Sequence, residues 1–165
     1  MNVRLSFALI LALAAGSAFA GPSVQTGNDQ TMILENDLLR VVITPIGGRI
    51  VGLYDKQRDR ENAKVFDTKN IGGLNEFRFR GQLELNDLRS VYRLSQADAG
   101  PNSAAVTATY ELPDDAGRVV KTYTLKQGSS DIRASLHITN ASTEQMSLMP
   151  WVRHLLLRGE ELPEE

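Results

Sequence analysis

The residues Ala104–Leu112 alternate without a break. Ala104, Val106, Ala108, Tyr110 and Leu112 fall on one side of an extended chain, and Ala105, Thr107, Thr109 and Glu111 on the other. Successive strand side chains point to opposite faces, so such a run builds a strand with one packed and one wet side. The pattern recurs. In Asp131–Thr139, Ile132, Ala134, Leu136 and Ile138 oppose Arg133, Ser135, His137 and Thr139; in Leu74–Arg80, Phe77 and Phe79 oppose Glu76, Arg78 and Arg80. Further strands are expected at Ser90–Ser95, Arg118–Lys126 and Gln145–Leu157, separated by corners rich in Gly, Pro, Asn and Asp. No window beyond residue 20 carries a capped apolar stripe of helical period. Short alternating strands at regular spacing predict an all-β protein, an antiparallel β-sandwich.

The stretch Leu34–Lys56 fixes how that sandwich begins. Two strand-like runs, Leu38–Ile43 and Arg49–Tyr54, flank Thr44-Pro45-Ile46-Gly47-Gly48. Proline removes a ladder donor and the two glycines reach backbone angles closed to other residues, so a sharp corner is expected there. Arg49 reads as a brace for that corner. A short strand at Thr31–Glu35 precedes it, the polar residues 21–30 form an aperiodic, flexible lead, and the acidic residues 158–165 form a tail. The sandwich domain is therefore expected over 31–157.

Residues 1–20 are set apart by chemistry. Arg4, the apolar run Leu5–Ala15 and Ala18-Phe19-Ala20 form the tripartite pattern of a cleavable export signal. The apolar run is shorter than the roughly 20 residues of a spanning helix. Removing the signal leaves 145 of 165 residues and takes away one cation, so 18 Lys and Arg become 17 against 20 Asp and Glu, a net charge of −3. That balance, with both signs interspersed, excludes a nucleic-acid partner. No later segment is long and apolar enough to span a bilayer, so a periplasmic or secreted bacterial protein is expected, free of the membrane after cleavage. With no cysteine, neither disulfides nor a thiolate metal site can stabilise it. A packed core must do so.

The stretches ENDLLRVVITPIGGRIVGLYDK (35–56) and YTLKQGSSDIRASLHITNASTEQMSLMPWVRHLLL (123–157) resemble the galactose mutarotase-like, or supersandwich, superfamily of carbohydrate-acting proteins. The first is similar to the opening hairpin of such domains, the second to their middle region. Domains of this type run to roughly 250 residues, so the resemblance implies that this chain corresponds to about the first half. It implies carbohydrate recognition on a sheet face more readily than catalysis. The aldose mutarotases of the superfamily pair a histidine acid with a carboxylate base near the domain's C-terminal end; Glu160, Glu161, Glu164 and Glu165 lie in the tail, and that base has no counterpart here.

Three groups of residues could carry chemistry. Trp151, Arg153 and His154 combine a flat apolar ring with hydrogen-bond donors and a group that titrates near neutrality, so His154 is the candidate general acid. Strict alternation sets His154 with Val152 and Leu156, however, and the same pattern fits core packing. Glu76, Arg78 and Arg80 form a polar stripe suited to sugar hydroxyls or an acidic sugar, and equally to an exposed mixed-charge face. His137 shares its row with Arg133, Ser135 and Thr139, which also suits a solvent-facing strand. Two histidines without a third ligand make no zinc site, and no other cofactor is indicated. Three functions follow: an exported carbohydrate-binding domain; a sugar-modifying enzyme of the aldose-epimerase or polysaccharide-processing type; or a non-catalytic interaction module whose edge strand pairs with another chain.

Overall fold

The computed structural model describes residues 21–57, 89–143 and 145 in full, together with the backbone course of strands 64–67, 73–78 and 151–155. The export signal (1–20), the tail (158–165) and Arg80 lie outside the described residues. Eleven strands are described: β1 (Ser23–Thr26), β2 (Met32–Glu35), β3 (Leu39–Thr44), β4 (Arg49–Asp55), β5 (Lys64–Asp67), β6 (Gly73–Arg78), β7 (Arg93–Ala97), β8 (Ser103–Glu111), β9 (Gly117–Lys126), β10 (Ile132–Asn140) and β11 (Trp151–Leu155). Single 3-10 turns occur at Asn28–Gln30 and Pro113–Asp115. The protein is all-β, as the alternation predicts.

The strands form two antiparallel sheets. One has seven strands in the order β1-β2-β3-β4-β6-β11, with β5 also paired to β4; the other has four, in the order β10-β9-β8-β7. β4 splits its pairing, with Ile50 opposite Leu74 of β6 and Gly52–Tyr54 against β5. The core lies between the sheets. Leu34, Leu39, Val41, Ile43 and Ile50 of the larger sheet meet Ala104, Val106, Tyr123 and Leu125 of the smaller. A second cluster joins Tyr92, Ala108, Leu112 and Val119. Burial of apolar area at about 25 cal/mol per Å² is the main stabilising term for a chain with no cysteine.

The predicted corner forms as expected. Gly47 and Gly48 have φ of 76° and 50°. A Cβ on Gly48 would sit 2.8 Å from both the Ala108 Cβ and the Tyr92 ring, so glycine serves close approach as well as backbone angle. The corner's carbonyls take hydrogen bonds from the opposite sheet: Lys121 Nζ donates to Gly47 O at 2.5 Å and Tyr123 Oη to Gly48 O at 2.7 Å. Arg49, expected as the brace, is itself buried at 3% exposure.

Four differences from expectation are found, three of them with a physical cause. The polar lead contributes β1, paired with β2 from Ser23↔Glu35 to Thr26↔Met32, because backbone pairing needs no apolar side chain. The strand expected from Ser90 starts at Arg93. Ser90–Tyr92 instead stitch to the corner, through Gly47 N to Ser90 O and Tyr92 N to Pro45 O, both 2.8 Å. Ala134, expected inward, is exposed, and Leu136 and Ile138 are half-buried, because β10 lies at the edge of its sheet. β11 is described over Trp151–Leu155, and Gln145 is not part of it.

Candidate functional site

The pairing of β6 with β11 brings together candidates that sequence spacing kept far apart. Arg153 stands opposite Glu76, and Trp151 opposite Arg78. Directly opposed residues of an antiparallel pair share a face, so these four positions form one patch, with Val152 and Phe77 at the alternate positions. The register shifts between Arg153 and Leu155, at His154. β11 advances two residues there and β6 three, so the extra residue lies on β6 and the alternation of β11 itself is unbroken.

His137 belongs to a different surface. It lies on β10 in the four-stranded sheet, exposed, opposite Val120 of β9. The structure does not join it to the Trp151 patch within one sheet. The outer face it occupies is laid out in rows by the ladder register. Arg133, Thr124, Ala105 and Ala97 make one row across β10, β9, β8 and β7; Ser135, Thr122, Thr107 and Ser95 make the next. Ser95 Oγ and Thr107 Oγ1 lie 2.7 Å apart in that second row.

One end of this face is concave. Ala97 and Ala105 line it together with Asp98 and Ala99 of the β7–β8 connection and Ser129 and Asp131 of the β9–β10 connection. The resulting groove, about 720 Å³, is also lined by Thr122, Thr124, Lys126 and Arg133. It presents hydroxyls, two cations and two carboxylates to solvent. Groups of this kind exchange water hydrogen bonds for those of a polar ligand. Of its lining, sequence reasoning singled out Arg133 only as a neighbour of His137. Part of the signal for the rest was present: Thr122 and Thr124 are outward members of the β9 alternation, and Ala105 and Ala97 continue the row of Thr124 with small side chains.

Lys121 was missed altogether. It sits at 1% exposure in β9, with its ammonium 4.7 Å from the centroid of the Tyr92 ring and bonded to Gly47 O. Its neighbours in the alternation, Val119, Tyr123 and Leu125, are all inward, and that phase places Lys121 inside. This is an anchor between sheets, held by a carbonyl and a ring face, rather than a solvent-accessible group.

Comparison with known proteins adds one finding. The chain is 28% identical over 141 residues to the membrane protein insertase YidC of Haemophilus ducreyi, a match covering 78% of this chain and 26% of the insertase. With the YidC of Actinobacillus pleuropneumoniae it is 25% identical over 143 residues, covering 79% of this chain and 26% of that protein. The chain thus spans about a quarter of the length of these relatives. No protein-family model and no solved structure matches it. Among the described residues, no helix is long and apolar enough to cross a membrane.

Proposed function

We propose that this chain is an extracytoplasmic interaction module allied to membrane protein insertion, acting by contact and without chemistry of its own. The observation that supports it is the match of nearly four-fifths of the chain to a quarter of two membrane protein insertases. A quarter of such a protein is the size of one domain, and here that stretch has a two-sheet core of its own. The export pattern of residues 1–20 places the module outside the cytoplasm in this reading. The test is capture of the affinity-tagged chain from detergent-solubilised membranes of its bacterial host, followed by mass spectrometry. Enrichment of the host's insertase over an unrelated exported β-sandwich supports the proposal; equal recovery with both baits removes it.

A second reading is favoured by the groove on the four-stranded sheet. Thr122, Thr124, Lys126 and Arg133 line a concave polar surface of the kind that binds a glycan's hydroxyls, consistent with the supersandwich resemblance. Glycan arrays followed by calorimetry test it. Binding that weakens at least tenfold in Arg133→Ala supports the reading, and an absence of binding to any neutral or acidic glycan removes it. The sugar-modifying alternative rests on the His154 side chain, which lies outside the described residues.

A further inference from the structure

Among the described residues five strands have an open edge, and they are not alike. β1, β5, β11 and β7 have 4, 4, 5 and 5 residues, whereas β10 has 9. Short edges are one way in which proteins prevent unwanted pairing; others are proline, inward-pointing charge and bulges. β10 uses none of these. Its sequence, Ile132–Asn140, contains no proline, pairs with β9 without a register shift, and carries only Ala134, Leu136 and Ile138 at inward positions between its ends. Among the described residues, β10 pairs with β9 alone. Its inward positions are also incompletely covered: Ala134 is exposed and Leu136 and Ile138 are half-buried. A strand added at this edge would gain backbone hydrogen bonds and cover apolar surface together.

We propose that the β10 edge binds the β10 edge of a second copy of this chain, joining the two four-stranded sheets into one eight-stranded antiparallel sheet. The sequence of β10 is self-complementary about Leu136. With the dyad there, Leu136 meets Leu136 and Ala134 meets Ile138 on the inner side, small against large. On the outer side Arg133 meets Thr139 and Ser135 meets His137, so no cation faces another. Moving the dyad to Ser135 sets Arg133 opposite His137 and pairs Ile132 with Ile138, placing two cation-forming residues together. Charge therefore disfavours the Ser135 register, and the Leu136 register, centred on the strand, pairs all nine of its residues. Such an interface is isologous and closes as a dimer, which removes the long edge and does not propagate into a fibre. This inference stands independently of either functional reading.

Analytical ultracentrifugation of the purified exported chain, across a micromolar concentration series, is the first test. A monomer–dimer equilibrium is expected, and a monomer throughout overturns the proposal. Ala134→Lys puts a charge at an exposed inward position of the edge. It should abolish the dimer while leaving the far-ultraviolet spectrum unchanged, and a persistent dimer with that spectrum places the interface elsewhere. The absence of native cysteine allows a second, independent measurement. Opposed Cα atoms in an antiparallel ladder lie about 4.5–5.5 Å apart, inside the range of about 4.4–6.8 Å that a disulfide spans. Arg133→Cys combined with Thr139→Cys should therefore give a covalent dimer under mild oxidation, and Ser135→Cys alone should not. A covalent dimer from Ser135→Cys, or none from the double variant, overturns the Leu136-centred pairing.

Discussion

At the two ends of β3 the larger sheet is tied to the smaller one through very different groups. Before β3, the Asn36 side chain, 3% exposed, accepts from Leu38 N and Leu39 N at 2.8 and 2.7 Å and donates to Lys126 O and Ser129 O at 2.7 and 2.8 Å. All four hydrogen-bonding positions of a neutral amide are used, and the turn after β2 is keyed to the turn after β9. Beyond β3, the corner carbonyls of Gly47 and Gly48 are met by a buried ammonium and a phenol from the middle of β9. Removing a charge from water carries a large penalty, which the carbonyl and the ring face help to offset. The amide fixes register at little electrostatic cost. The lysine fixes the corner while holding a charge in the core, with its four-carbon stem packed between the sheets.

That contrast is broken or upheld first at Lys121. Lys121→Ala removes the packed stem and leaves Gly47 O without this donor; together these should lower stability by about 4 kcal/mol in urea unfolding. Lys121→Met keeps the stem and deletes the charge, so its loss should stay under about 2 kcal/mol, because an apolar replacement of similar volume avoids the desolvation penalty. Equal losses in the two variants would mean that the charge, and not the stem, carries the stabilisation. Next comes Asn36→Ala, expected to cost about 3 kcal/mol by taking this partner from two N–H groups and two carbonyls, of which Lys126 O keeps a bond from Ser129 N. Asn36→Asp keeps the two acceptor contacts but sets a carboxylate against the carbonyls of Lys126 and Ser129. It should destabilise as well, and a wild-type midpoint for that variant would show that the donor half of the key contributes nothing.

Tyr123→Phe removes the phenol hydroxyl at the corner. The ring stays in the core while the donor to Gly48 O goes, so about 1.5 kcal/mol should be lost. A loss near zero would leave Lys121 as the corner's sole effective tie to β9.

Much of this was legible in the chain. Period-two alternation in Ala104–Leu112 and the Pro45–Gly48 corner were sufficient for the fold class, because both are local and each residue's face follows from its neighbours'. What escaped was non-local. Lys121 looks like any surface lysine until the inward phase of Val119, Tyr123 and Leu125 is set against a carbonyl 74 residues earlier in the chain. The pairing of Trp151 with Arg78 and of Arg153 with Glu76 depends on strand order, which alternation does not encode. The outer groove needed two alanines and two turns from different hairpins to coincide. Local patterning thus revealed the strands, while the candidate sites arise from which strands lie side by side.

The smallest expected effect lies beside Asn36 and separates an exposed charge from a buried one. Lys56 Nζ bonds Glu35 Oε1 at 2.6 Å and Asn36 O at 2.8 Å, and both side chains of the ion pair keep over a quarter of their surface in water. Lys56→Ala should therefore cost less than about 1 kcal/mol. Raising the salt concentration should shrink that difference, since exposed pairs are screened within a Debye length of about 10 Å at 0.1 M. The backbone bond from Lys56 N to Leu38 O survives the substitution, so the β3–β4 pairing itself should hold. Lys121 gives the opposite expectation: its contacts are out of reach of counterions, and the loss in Lys121→Ala should be the same at low and high salt. If both losses fall alike as salt is added, the corner admits solvent ions, and the ammonium there is not the sealed anchor that its geometry describes.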